Sequence, residues 1–145
     1  MNFKDCINFA NKVKDCAMAT VEEDQPRVRM MGLWFADESG FYFQAWNFKG
    51  VYKQLEDNKA IEICFFDKSK EGPYDVMRLR GKAEFMQEAE LKRKVMEDRP
   101  FLRKMGAKDD DPRIVVFRIP HGEASFWPLK NEKEGEYPGL DMLNF

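Results

Sequence analysis

A single histidine, His121, leaves little material for a metal site. It also removes most Cys–His and Ser–His nucleophile schemes, because His121 follows Pro120 near a strand end, the setting of a turn residue. Cys6, Cys16 and Cys64 contain no C-x-x-C pair, and an odd count of this kind points to reduced thiols. Basic excess is missing too: the net charge is −2, and acids offset bases almost everywhere, as in EAELKRKVMED. This argues against nucleic acid as an obligate partner. No apolar run is long enough to cross a membrane, and the opening MNFKDCINF is no signal peptide. These absences predict a cytoplasmic protein with no membrane partner, no nucleic-acid partner and no metal.

What remains is a globular composition, with 43% hydrophobic and 34% charged residues. The 145 residues suit one domain, 1–145, with a core of its own. Aromatics and methionine are plentiful, as suits a core, a ligand pocket or a subunit interface.

Along the chain, the three-and-four spacing of Phe3, Cys6, Ile7, Ala10, Val13 and Ala17 predicts an N-terminal helix within 1–16. CAMATVE then reads as a strand, and Arg27 to Phe35 as the next. Alternation there puts Arg27, Arg29, Met31, Leu33 and Phe35 on one face and Val28, Met30, Gly32 and Trp34 on the other. Asp37 to Gly40 is a turn to a partner strand, 41–46. Asn47 is the candidate N-cap of a helix over 48–57, with Val51 and Leu55 inward and Asn58 as a left-handed cap. Strands follow over 60–66 and 76–85, helices over 87–98 and 100–105, strands over 113–119 and 123–126, and a tail over 129–145. The sum is a mainly β (α+β) domain, a six- to seven-stranded antiparallel barrel, closed or split, with short flanking helices.

The stretch Pro26 to Phe66 concentrates the candidate chemistry. Arg27 and Arg29 share a strand face, Lys49 and Lys53 stand one helical turn apart, and Asn47 lies just before them. A phosphate needs a planar fork, compact charge and helix-end amides, all of which this stretch offers. A solvated strand edge and a solvent-facing helix explain the same residues, and composition alone leaves both readings open.

The run PRVRMMGLWF…GFYFQAWNFKGVYKQLEDNKAIEICFF, followed by VMRLRGKAEF and FRIPHGEASFWP, resembles the pyridoxamine 5′-phosphate oxidase-like proteins, the FMN-binding split barrels. The likeness covers residues 16–127 and is nearest the small single-domain prokaryotic branch. It implies an FMN-dependent oxidoreductase with FMN bound at a homodimer interface, and a small-molecule substrate or reduced nicotinamide as electron donor. It places Arg29, assisted by Arg27, at the FMN phosphate, and Met30, Met31 and Gly32 along the flavin ring. It puts Asn47, Lys49, Val51 and Lys53 at the phosphate and ribityl groups, although many relatives have lysine where Val51 stands. Gln54 is assigned to a flavin edge or to the helix surface. Trp127 is assigned to the flavin of the second subunit. Trp34 and Trp46 go to the core or an interface, and Arg78 and Arg80 to a solvated or dimer-contact role.

Two departures limit the reaction. The oxidase that names the family grips its substrate phosphate with a C-terminal arginine-rich pattern, and this chain has no arginine after Arg118. Relatives linked to nitroimidazole resistance usually place a histidine before the second strand, and here that position is not histidine. The resemblance nominates no catalytic acid or base, and the alternative to an enzyme is a non-catalytic flavin-binding or redox-sensing protein.

Overall fold

The computed structural model describes residues 2–69, 71, 75–127 and 142–145. Helix α1 (Phe3–Val13) begins at a capping box, in which Asn2 Oδ1 accepts from the Asp5 amide and Asp5 Oδ2 from the Asn2 amide, both at 2.9 Å. It stops short of residue 16 because Lys14 takes φ 63° and turns the chain into β1 (Asp15–Glu22).

β1 and β2 (Gln25–Gly32) form a hairpin that pairs Thr20 with Arg27, Met18 with Arg29 and Cys16 with Met31. The strand expected over 27–35 is therefore two strands. At Leu33 the chain leaves this sheet: the Leu33 amide donates to the Lys14 carbonyl at 2.8 Å and the Trp34 amide to the Tyr42 carbonyl at 2.9 Å. β3 (Phe35–Asp37) then joins a different sheet. Alternation of side chains runs on through such a crossing, so the pattern gives no sign of it.

β3 and β4 (Gly40–Trp46) are the hairpin expected around 37–40. Gly40 has φ 130°, and a Cβ there would lie 2.4 Å from the Ile119 carbonyl oxygen, so this turn requires glycine. After α2 (Gly50–Asp57) come β5 (Ala60–Asp67) and β6 (Asp75–Lys82). The strand expected over 76–85 divides at Ala83, whose amide bonds the Lys59 carbonyl at 2.9 Å, and resumes as β7 (Glu84–Met86) in the other sheet. The chain continues through α3 (Ala89–Asp98), α4 (Phe101–Lys104), β8 (Ile114–Ile119) and β9 (Gly122–Trp127). Most of the expected tail lies outside the described residues, but its end returns as β10 (Leu143–Asn144), pairing with β9, a strand the sequence did not suggest.

The result is a six-stranded sheet in the order β10-β9-β6-β5-β1-β2 and a four-stranded sheet in the order β3-β4-β8-β7. Their inner faces meet in one core, where Met18, Ile63, Phe65 and Met77 face Phe41, Phe43, Phe117 and Ile119. Helices α1 and α2 close it through Cys6, Ala10, Val51 and Leu55. The outer face of the small sheet is covered as well: Trp34, Tyr42, Trp46 and Val116 pack against Val95, Met96 and Leu102 of α3 and α4. Every residue of β4 is buried as a consequence, because each of its faces meets a separate apolar layer. The outer face of the large sheet has no such cover among the described residues, and on edge strand β2 Val28 and Met30 are 68% and 70% exposed. No helix among the described residues is long and apolar enough to cross a membrane.

Candidate functional site

The site is built where α2 crosses the β1–β2 hairpin. Helical spacing puts Val51, Gln54 and Leu55 on the inward side of α2. Gln54 is a polar residue only 7% exposed, so it needs partners, and both amide atoms have them. Its Oε1 accepts from Thr20 Oγ1 at 2.6 Å and from Arg29 Nη2, and its Nε2 donates to Glu22 Oε2 at 2.9 Å.

Arg29 projects onto the inner face of the hairpin, as alternation predicted. Nη1 donates to Thr20 Oγ1 at 2.7 Å and to the Met18 carbonyl at 3.2 Å. All its hydrogen-bond acceptors among the described residues are neutral. Burial lowers its pKa from the ordinary arginine value, the direction expected of a cation taken from water without an opposite charge. The side chain stays charged at neutral pH. A half-buried guanidinium held by neutral acceptors is arranged to receive an anion.

The helix start differs from expectation. Lys49, with extended φ −84° and ψ 148°, is the N-cap position, so Asn47 lies outside the helix. The Lys49 amide bonds the Trp46 carbonyl at 3.0 Å, and this tight turn uses up 47 and 48 before the helix begins. Asn47 instead ties the loop to the segment before β8, its amide to the Arg113 carbonyl at 2.8 Å and its Nδ2 to the Pro112 carbonyl at 3.4 Å. Asn58 is likewise extended, φ −147°, and not a left-handed cap. Among the described residues no side chain caps the start of α2, and no acid occupies its first turn, so the helix's own sequence adds no negative charge at its amide end. That end is close to Arg29 through Gln54: a Cβ on Gly50 would sit 3.2 Å from Gln54 Nε2.

The other nominated residues divide. Arg27 shares the inner face but is exposed and pairs with Glu22 at 3.4 Å. Met31 packs against the core, Met30 points outward, and the Gly32 carbonyl accepts from Arg99 Nη2 at 3.1 Å. Val51 is a core side chain, so only its backbone faces the helix start. Lys49 is exposed beside the Phe48 ring, and Lys53, also exposed, pairs with Asp57 at 3.2 Å. The two lysines do not share a helix face, since Lys49 precedes the helix. Gln54 is not a surface residue. Trp127, 46% exposed, ends β9, four strand positions from β2, on the order of 19 Å measured along the sheet. Arg80 pairs with Glu123 on the outer face of the large sheet. Trp34 and Trp46 lie in the second core.

Sequence reasoning missed Thr20 and Glu22. A signal was present, since Thr20 is the polar member of the inward series Cys16, Met18, Thr20. It also missed Lys14 and Arg99, both half-buried, which donate to the Trp34 and Gly32 carbonyls at the sheet crossing. Burial lowers both pKa values, that of Lys14 further through the nearby Arg99 charge, while Asp98 opposes the shift in both.

No curated protein matches the chain in sequence. Among crystal structures, it is similar to a NimC/NimA family protein from Clostridium acetobutylicum, at 27% identity over 98% of this chain and 91% of that one, with a TM-score of 0.78. It is similar in fold to General Stress Protein 26 from Bacillus anthracis, at 18% identity over 87% of this chain and 94% of that one, with a TM-score of 0.70. PhzG from Burkholderia lata, solved in complex with tetrahydrophenazine-1-carboxylic acid, shares the fold at 16% identity over 99% of this chain and 89% of that one, with a TM-score of 0.67. The two sheets are thus those of a split barrel. The family model for pyridoxamine 5′-phosphate oxidase matches residues 4–127. The chain therefore belongs to the pyridoxamine 5′-phosphate oxidase-like family, whose members typically bind FMN.

Proposed function

We propose that the protein is an FMN-dependent oxidoreductase that binds FMN between the two subunits of a homodimer. The observation that carries this reading is Arg29, a half-buried cation whose acceptors among the described residues are all neutral. The residues fit the cofactor. Arg29 and the uncapped amide end of α2 would hold the phosphate, with Arg27, Lys49 and Lys53 adding charge around it. Met30, Met31 and Gly32 end edge strand β2, and the backbone groups there that β1, Cys16 and Arg99 do not already use would orient the ring. The β1–β2 end of the large sheet's outer face, where Ala17, Ala19, Val28 and Met30 meet no cover among the described residues, is apolar enough to accept a second copy and exclude water. Trp127 ends β9, four strands from β2 in the same sheet, and its contribution would come from that second copy. Bound FMN supplies two-electron chemistry between a reduced nicotinamide or small-molecule substrate and an acceptor.

Purified protein is expected to absorb at the flavin bands, or to take up added FMN, and to oxidise NADH or NADPH with an artificial acceptor. Colourless protein that takes up no FMN would overturn the proposal. Bound FMN without turnover would favour a flavin carrier or redox sensor.

A further inference from the structure

A glutamate at 54 would match the shape of Gln54 but would face a second carboxylate, that of Glu22, where the amide now donates. Gln54 Oε1 lies against the Arg29 guanidinium and takes the Thr20 hydroxyl hydrogen at 2.6 Å. Its Nε2 is directed at the Glu22 carboxylate, 2.9 Å away, which fixes the amide orientation because only an N–H group suits that side. Every polar atom of the buried amide is satisfied. Gly50 keeps the space open, since a Cβ there would press on Gln54 Nε2 at 3.2 Å. A glutamate at 54 would compensate the half-buried arginine at the cost of repulsion from Glu22, and the chain carries the neutral amide instead. Glu22 meets Arg29 through the Gln54 amide and also pairs with Arg27 at 3.4 Å.

We infer that Gln54 is a positioning residue that holds the Arg29 fork in place while leaving its charge uncancelled, and that this makes the site select a phosphorylated flavin over the unphosphorylated one. The inference rests on the FMN reading above and adds the residue that sets its selectivity. A glutamate at 54 would close an internal ion pair and compete with the phosphate for the same guanidinium. A methionine there would keep the charge but remove one of the acceptors that aim the fork.

The test measures the affinities of FMN and riboflavin, by quenching of flavin fluorescence, for wild type, Q54E, Q54M and R29A. Q54E is expected to lower FMN affinity by about tenfold or more, the scale of a charge-assisted bond, and to leave riboflavin affinity within about twofold. Q54M is expected to lower the FMN-to-riboflavin ratio by about threefold. A folded Q54E that keeps the wild-type ratio, or weakens both flavins equally as a purely structural change would, overturns the inference. If Q54E does not fold, an unchanged ratio in Q54M overturns it. R29A separates the two levels: an unchanged ratio there defeats the phosphate assignment itself, whereas collapse in R29A with no effect in Q54E defeats only the role of Gln54.

Discussion

Arg29 does not bond the side chain opposite it. Its register partner is Met18, yet its Nη1 reaches diagonally to Thr20 Oγ1 at 2.7 Å. Thr20, 1% exposed, passes its own hydroxyl hydrogen to Gln54 and so joins the hairpin to α2. Thr20→Val keeps the shape and removes both bonds. Loss of one acceptor for a guanidinium is expected to weaken FMN binding by about 0.5–1.5 kcal/mol. Isothermal titration checks this, and an unchanged affinity would separate Thr20 from the site.

Gly40 is fixed by the Ile119 backbone and by its own φ of 130°. Gly40→Ala is expected to lower unfolding stability by at least about 2 kcal/mol, since neither the conformation nor the space admits a Cβ. Urea unfolding reads the loss, and a midpoint equal to that of wild type would contradict the packing of β4 against the end of β8.

Much of this framework was legible. The 37–40 hairpin, the inward pair Val51 and Leu55, and the shared face of Arg27 and Arg29 follow from turn chemistry and periodicity. The breaks at Leu33 and Ala83 were not legible, because a strand that changes sheets keeps its alternation. The start of α2 was misplaced because Asn47 is a good cap residue by type, while the turn that displaces it depends on a bond to Trp46. Gln54 reads in sequence as either a flavin-edge or a helix-surface residue, because its burial depends on how α2 rolls onto β1. The Arg29 network combines sequence separations of 9 to 34 residues, which no local pattern reveals.

The loop before β8 supplies a pH test. Asp111 accepts from Arg113 Nη2 at 2.7 Å and from the Lys108 and Arg113 amides at 3.0 Å. The Arg113 side chain, then these amides, hold its pKa well below the usual carboxylate range. A pKa lowered on folding stabilises above the unfolded value, about 3.9, and that contribution is lost as pH falls below it toward the folded value. Asp111→Asn is therefore expected to melt at a lower temperature than wild type at pH 7, with the difference closing below about pH 4. A gap that persists or widens in acid would contradict this.

The thiols should differ in reactivity. Burial, with help from Asp15, raises the Cys16 pKa to about 12, and burial, with help from Asp5, raises that of Cys6 to about 11. Both are effectively without thiolate at neutral pH. Cys64 is only partly buried. Native protein should react with a thiol reagent at no more than one cysteine, and unfolded protein at all of them. Rapid native reaction of Cys6 or Cys16 would contradict the burial of α1 and β1 in the core.

The central claim is that Arg29 holds the phosphate of FMN. The most direct measurement is the titration of wild type and Arg29→Ala with FMN and with riboflavin under identical conditions. Wild type is expected to prefer FMN, and Arg29→Ala to lose about 1.5–3 kcal/mol of FMN affinity while riboflavin binding changes little. Equal FMN affinity in the two proteins would contradict the account.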